Sequence, residues 1–60
     1  MKLYIARDKD TTLNLFYEKP TKSGEYFIVK GSNYLSLNRN MFPEVTFENS
    51  PQKVEIKLIK

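Results

Sequence analysis

The chain has 60 residues, with ten Lys and Arg against seven Asp and Glu, and it contains no Cys, His or Trp. This length suffices for one small domain, so we expect residues 1–60 to form a single domain. Without Cys or His, a disulfide framework and the commonest metal ligands and general base are excluded. The apolar runs are too short to cross a membrane, and Arg7 comes too early for a signal peptide. We therefore expect a cytoplasmic protein that is expressed from its own start codon.

Apolar and polar residues alternate with period two along most of the chain, which predicts β-strands. The first strand is predicted over Lys2–Arg7. A turn over Asp8–Thr12 follows, since Asp side chains bond the backbone two residues on. The second strand is predicted over Leu13–Glu18, and the Pro, Ser and Gly of Pro20–Gly24 then break the pattern.

The second half of the chain continues in the same way. A run of β-forming residues predicts a third strand over Glu25–Lys30. Residues 38–42 are expected to form a loop, with one 3₁₀ turn as an alternative, because Pro43 disfavours helical angles at Phe42. The remaining predicted elements are a turn over Gly31–Asn33, a short strand over Tyr34–Leu37, a candidate short strand over Val45–Phe47, a turn over Asn49–Gln52 and a final strand over Lys53–Ile59.

The fold class follows from this pattern. No segment carries an apolar stripe of helical period, and turn signals recur about every 8–12 residues, which is typical of all-β proteins. We therefore predict an all-β fold, a small antiparallel meander of five to six short strands. The sheet is expected to curl into a barrel-like or half-barrel form, because curling protects the strand edges.

The alternation also predicts the core and the register of the sheet. The register is expected to place Ile5 opposite Leu15 and Leu3 opposite Tyr17, and in the next pair of strands Leu15 opposite Val29 and Tyr17 opposite Phe27. The predicted core residues are Leu3, Ile5, Leu13, Leu15, Tyr17, Phe27, Val29, Val54, Ile56 and Leu58.

The same registers place an unusual apolar row on the second face of the sheet. Tyr4 falls opposite Phe16, and Phe16 falls opposite Ile28, with Tyr26 nearby. These four residues are the candidate partner surface. One hypothesis is that residues 38–47 fold back and cover the row, with Met41 and Phe42 packing on it. The other is that the row is an exposed patch used for dimerisation or for binding a partner.

The sequence offers little for catalysis or metal binding. The acidic segment at Asp8–Thr12 resembles a calcium loop, but Leu13 stands where such a loop needs Gly. Glu44 and Glu48 are close in sequence, as paired catalytic carboxylates are, but a chain of this size leaves no room for a sugar-sized cleft around them. We expect no enzyme activity, no catalytic residue, no cofactor, no metal and no small-molecule substrate.

Two binding functions remain open. A protein-interaction module, acting by self-association or on one macromolecular partner, is favoured because so small a core gains stability from association. The alternative is a weak single-stranded nucleic-acid-binding β-barrel, since such proteins combine stacking aromatics with basic residues. Its candidate residues are Tyr4, Phe16, Tyr26 and Tyr34 with Lys2, Arg7, Lys30 and Arg39.

Three segments carry a resemblance to other proteins. Leu3–Asp10, Glu18–Pro20 and Phe42–Pro51 resemble short hypothetical proteins of gut Bacteroidetes and their phages or mobile elements. The resemblance implies a small stand-alone protein, of a kind that often acts as an inhibitor or adaptor by binding one host macromolecule. It implies no activity and no functional residues.

Overall fold

The structure is a computed structural model that describes residues 2–31 and 33–59. These residues form six short β-strands and no helix, and hence no helix that could cross a membrane. The strands are β1 (Lys2–Arg7), β2 (Leu13–Phe16), β3 (Thr21–Ser23), β4 (Tyr26–Ile28), β5 (Tyr34–Leu37) and β6 (Gln52–Glu55).

The strands form two antiparallel sheets, which confirms the predicted all-β fold. A four-stranded sheet has the order β5-β2-β1-β6, and β3 pairs with β4 in a second sheet. The pairs β1–β2 and β3–β4 are consecutive in the chain, as in a meander, whereas β5 and β6 join the outer sides of β2 and β1. The described strands do not close into a barrel, and the arrangement is an open half-barrel.

The strand bounds follow the sequence pattern where apolar residues alternate. β1 and β5 have the predicted bounds, whereas β2 ends at Phe16 and β4 covers only part of its predicted range. β3 was missed because Thr21–Ser23 is exposed throughout and carries no apolar residue. Gly24 has a φ of +61° and begins the two-residue loop from β3 to β4, a position where Gly is favoured.

Two expectations near the end of the chain were wrong. The last strand begins at Gln52 and ends at Glu55, so it does not reach Ile59. The candidate strand at residues 45–47 is not present. Instead, the Val45 N–H donates to the Phe42 carbonyl at 2.9 Å in a turn.

The predicted register is confirmed between the first two strands. Ile5 pairs with Leu15 and Tyr4 pairs with Phe16. The predicted pair of Leu3 with Tyr17 is not in this ladder, because β2 ends before Tyr17.

The predicted pairing of the second and third strands was wrong. β2 pairs with β5, so Phe16 lies opposite Tyr34 and not opposite Ile28, and Leu15 lies opposite Leu35 and not opposite Val29. Phe27 pairs with Lys22 in the second sheet and not with Tyr17. The hairpin of β3 and β4 forms a separate sheet, and β5, which comes later in the chain, pairs with β2.

The four-stranded sheet has an apolar core on each face. On the first face, Ile5, Leu13 and Val45 are buried together. On the second face, Ala6 and Phe16 pack against Phe27 of β4. The two sheets therefore lie one over the other, with Phe27 between them, and residues 41–45 cover part of the first face.

The predicted core is partly right. Leu3, Ile5, Leu13 and Phe27 are buried, and Leu15, Val29 and Val54 are partly buried. Tyr17, Ile56 and Leu58 are exposed, which contradicts the prediction, because β2 and β6 end before these positions. The buried residues Ala6, Phe16 and Val45 were not in the predicted core.

Candidate functional site

The guanidinium of Arg7 holds the loop of residues 39–45, which covers the first face of the sheet. Its Nε donates to the Val45 carbonyl at 2.6 Å. Nη1 donates to the carbonyls of Thr11 and Arg39 at 2.9 and 3.0 Å. Nη2 donates to the carbonyls of Met41 and Phe42 at 2.9 and 3.1 Å. Guanidinium has five N–H donors, so these five bonds occupy the whole group.

This loop and the first face of the sheet enclose an apolar groove. The groove has a volume of about 540 Å³. Glu55 is its one charged lining residue. The other lining residues are apolar: Ile5, Leu15, Leu37, Met41, Phe42, Val54 and Ile56. Phe42 holds its place on the rim with a φ of +49°, which is unfavourable for a bulky residue. The bond from Arg7 to its carbonyl helps to hold that conformation.

A second depression lies between the two sheets and is called here the inter-sheet cleft. It has a volume of about 300 Å³. Its lining residues are Asp8, Asn14, Phe16, Tyr26, Phe27, Ile28, Val29 and Tyr34. The rings of Phe16 and Tyr34 lie 5.5 Å apart between centroids, so the two rings pack against each other.

Asp8 joins the two sheets at this cleft. Its carboxylate is buried, and Oδ1 accepts a hydrogen bond of 2.9 Å from the Phe27 N–H. Burial raises the pKa of the Asp8 carboxyl above its ordinary value, the Phe27 hydrogen bond opposes the rise, and the charge of Asp10 adds to it. The exposed carboxyl of Asp10 has a lowered pKa, chiefly because it accepts a hydrogen bond from the Thr12 N–H.

The cleft brings together three of the four residues of the candidate partner surface. Phe16, Tyr26 and Ile28 all line it, although Phe16 and Ile28 belong to different sheets. Tyr26 and Ile28 are exposed, but Phe16 is only 1% exposed. Tyr4 lies beside Phe16 on the same sheet face and is partly buried. The predicted row therefore does not exist as one exposed patch.

The hypothesis of coverage was right that Phe16 is covered and that Phe47 of residues 38–47 packs on this face, but it was wrong about Met41 and Phe42. Phe27 and Val29 pack over the second face, together with Phe47. Met41 and Phe42 were expected there, but they line the apolar groove on the opposite face. Sequence reasoning missed this because it placed the third strand in the same sheet as the second.

Two residues expected to contact nucleic acid have other roles. Arg7 uses all five side-chain donors on backbone carbonyls, so none remains for phosphate. Phe16 is buried and presents no ring for base stacking. Tyr26 and Tyr34 are exposed aromatic residues. Lys22, a basic residue outside the predicted set, places its Nζ 4.2 Å from the centre of the Phe47 ring.

Within residues 2–31 and 33–59, no group of three or more His, Cys, Asp or Glu could hold a metal ion. Comparison of the chain with protein-family models, with characterised proteins and with solved structures finds no match. The features of this chain that bear on function are therefore the apolar groove, the edge strand beside it and the inter-sheet cleft.

Proposed function

We propose that the chain is a small non-enzymatic protein-interaction module whose partner is a second copy of itself, paired along the edge strand β6. The cytoplasmic location expected from the sequence is part of this proposal. The observation that carries it is the self-complementary pattern of residues 54–58, the last two residues of β6 and the three that follow them.

The edge strand β6 continues into an exposed apolar segment. β6 pairs with β1 on one side, and its other side is the edge of the four-stranded sheet. Beyond Glu55, Leu58 is 84% exposed and Ile59 is 91% exposed. The outer edge of a sheet can pair with another strand.

Residues 54–58 are complementary to themselves in one antiparallel register. When two copies are paired about Ile56, Glu55 of each lies opposite Lys57 of the other, and Val54 lies opposite Leu58. Within one chain, Lys57 Nζ already lies 3.4 Å from Glu55 Oε1, so the dimer would combine two such pairs in one neutral group. A register about Glu55 would instead place two glutamates opposite each other, which is unfavourable.

The same register supplies a cover for the apolar groove. Val54 lines the groove at its β6 side. Leu58 of the second copy, placed opposite Val54, would extend the apolar lining and lose its own exposure to water. Because burial of a leucine side chain is favourable by about 1.5–3 kcal/mol, Leu58 is the residue expected to contribute most. The contact is small, so we expect a weak dimer.

Analytical ultracentrifugation over a range of concentrations tests the proposal. The wild-type chain is expected to show a concentration-dependent dimer, which Leu58→Lys abolishes. Leu35→Lys is the matched control, because Leu35 is an exposed leucine of β5 at the opposite edge of the sheet. It should leave the dimer intact.

Charge reversal tests the register itself. Glu55→Lys alone and Lys57→Glu alone should each be monomeric, because like charges would then oppose each other across the edge. An equal mixture of these two variants should form a heterodimer, because every opposed pair is again of opposite sign. At a concentration of about 1 mM, even a dimer with a binding free energy of only about 4 kcal/mol would be detected. A wild-type chain that stays monomeric at this concentration contradicts self-association.

The second candidate function is binding of single-stranded nucleic acid. It is supported by the net charge of +3 and by the exposed rings of Tyr26 and Tyr34. Capture of partners from cells, with and without nuclease, distinguishes it from protein binding. Salt sensitivity of oligonucleotide binding would support phosphate contacts.

A further inference from the structure

The amide of Asn14 is buried without a partner for its oxygen. Asn14 is 7% exposed, and its Oδ1 accepts no hydrogen bond within the described part of the chain. It lies in the centre of the four-stranded sheet, opposite Ala6 on β1 and Ser36 on β5. A buried acceptor without a donor costs folding free energy, so a leucine at this position would be more stable unless the oxygen serves another purpose.

Asp8 provides a second acceptor beside Asn14. On this sheet face Asn14 is opposite Ala6, and Asp8 is two residues beyond Ala6 along the chain, so the two side chains are diagonal neighbours. Asp8 also lines the inter-sheet cleft, and only the Phe27 N–H donates to its carboxylate within the described residues. A buried carboxylate favours a cationic partner, since desolvation disfavours its isolated charge.

The remaining walls of the cleft are aromatic and aliphatic. The Tyr34 ring packs on Phe16 along one side of the cleft, and residues of β4 line the other side. Tyr34 is 47% exposed, so its ring can be reached from solvent. Aromatic faces attract cations and stack on planar groups.

We propose that the inter-sheet cleft binds a guanidinium group, with Asn14 and Asp8 as hydrogen-bond acceptors and the Tyr34 ring as a stacking surface. Guanidinium is planar and cationic and has several N–H donors in fixed directions, so it matches two neighbouring acceptors better than ammonium does. The same chemistry is present in a free arginine-like molecule and in an arginine side chain of a partner protein. The net charge of +3 opposes any cation, so we expect millimolar binding of the isolated group.

Titration of the full chain with N-acetyl-arginine amide, followed by two-dimensional amide NMR, tests the proposal. The signals of the Asn14 side-chain amide and of the Phe27 backbone amide should shift together with one saturable curve. The corresponding lysine amide should bind less tightly, and the neutral citrulline amide should bind least. Arginine and citrulline amides that bind equally would refute the role of the Asp8 charge.

Two variants separate binding from folding. Asn14→Leu removes the unpartnered acceptor, so it should stay folded and weaken arginine-amide binding about tenfold or more, the usual effect of one hydrogen bond to a charged group. Asp8→Asn keeps an acceptor for the Phe27 N–H but removes the charge, and it should also weaken binding. The proposal is overturned if the wild type shows no saturable shifts, or if both folded variants bind as the wild type does.

A comparison of a peptide with a small molecule shows whether the bound guanidinium belongs to a protein or to a free metabolite. The peptide Gly-Gly-Arg-Gly-Gly should bind more tightly than agmatine, a free guanidinium amine, if the cleft takes an arginine side chain of a protein. The reverse order would identify a small molecule. Absence of binding by both probes would refute the proposal.

Discussion

Replacing Arg7 with lysine should destabilise the protein more than any other charge-conserving change on the first face. The guanidinium donates five hydrogen bonds to carbonyls of residues that lie between 4 and 38 positions away in the chain. A lysine ammonium has three donors and no planar fork, so at least two bonds are lost.

The magnitude follows from the exposure of these bonds. Four of them lie at exposed positions and one is partly buried, so each is worth about 0.5–1.5 kcal/mol in net stability. Losing two of them costs about 2 kcal/mol. For a domain of this size, that lowers Tm by about 8–16 °C. A small domain has about 3–9 kcal/mol of stability in total, so the effect is a large fraction of it.

Thermal unfolding followed by far-UV circular dichroism measures this effect. Arg39→Lys is the matched control, because the exposed Arg39 side chain makes no hydrogen bond within the described residues and only its carbonyl accepts from Arg7. The control should change Tm by no more than about 4 °C, because surface substitutions usually change stability by at most about 0.5 kcal/mol. If Arg7→Lys melts together with Arg39→Lys, the guanidinium does not hold the loop and the reasoning fails.

Two further predictions concern the second face. Because folding raises the pKa of Asp8, its contribution to stability is full below the unfolded value of 3.8 and is lost as the pH rises through the folded value. Asp8→Asn should therefore gain stability relative to the wild type between pH 3 and pH 7, which urea unfolding can measure; a constant difference would contradict the assignment. Phe16→Glu should unfold the chain, since Phe16 is 1% exposed, whereas Ile28→Glu should stay folded because Ile28 is 54% exposed. Circular dichroism of both variants decides this, and a folded Phe16→Glu protein would show that the second face is open.

Local alternation was sufficient to predict the strands that carry apolar residues. β1 and β5 were predicted with their bounds, and the pairs Ile5–Leu15 and Tyr4–Phe16 follow from placing apolar residues on one face. β3 has no apolar residue and therefore gave no signal. Gly24 after a polar run was the one available indication of its hairpin.

Apolar alternation could not predict which strands pair when they are distant in sequence, such as β2 and β5. Val29 and Leu35 both offer an apolar residue to lie opposite Leu15, and alternation does not choose between them. The choice depends on the hairpin of β3 and β4, which packs Phe27 on the second face and leaves the side of β2 to β5. The inter-sheet cleft arises from this choice. Its lining from Asp8 and Asn14 was missed, since these residues looked like turn and strand-surface positions.

The end of β1 explains how so short a chain covers both faces of its sheet. Successive residues of a strand point to opposite faces, so Arg7 and Asp8 point in opposite directions. The Arg7 side chain holds residues 39–45 over the first face, and the Asp8 carboxylate holds β4 over the second through Phe27. In both cases a side chain bonds to main-chain groups and needs no partner side chain. This attachment suits a chain of 60 residues, because two adjacent positions fix both covering layers, and β6, where we propose pairing with a second copy, remains at the edge of the sheet.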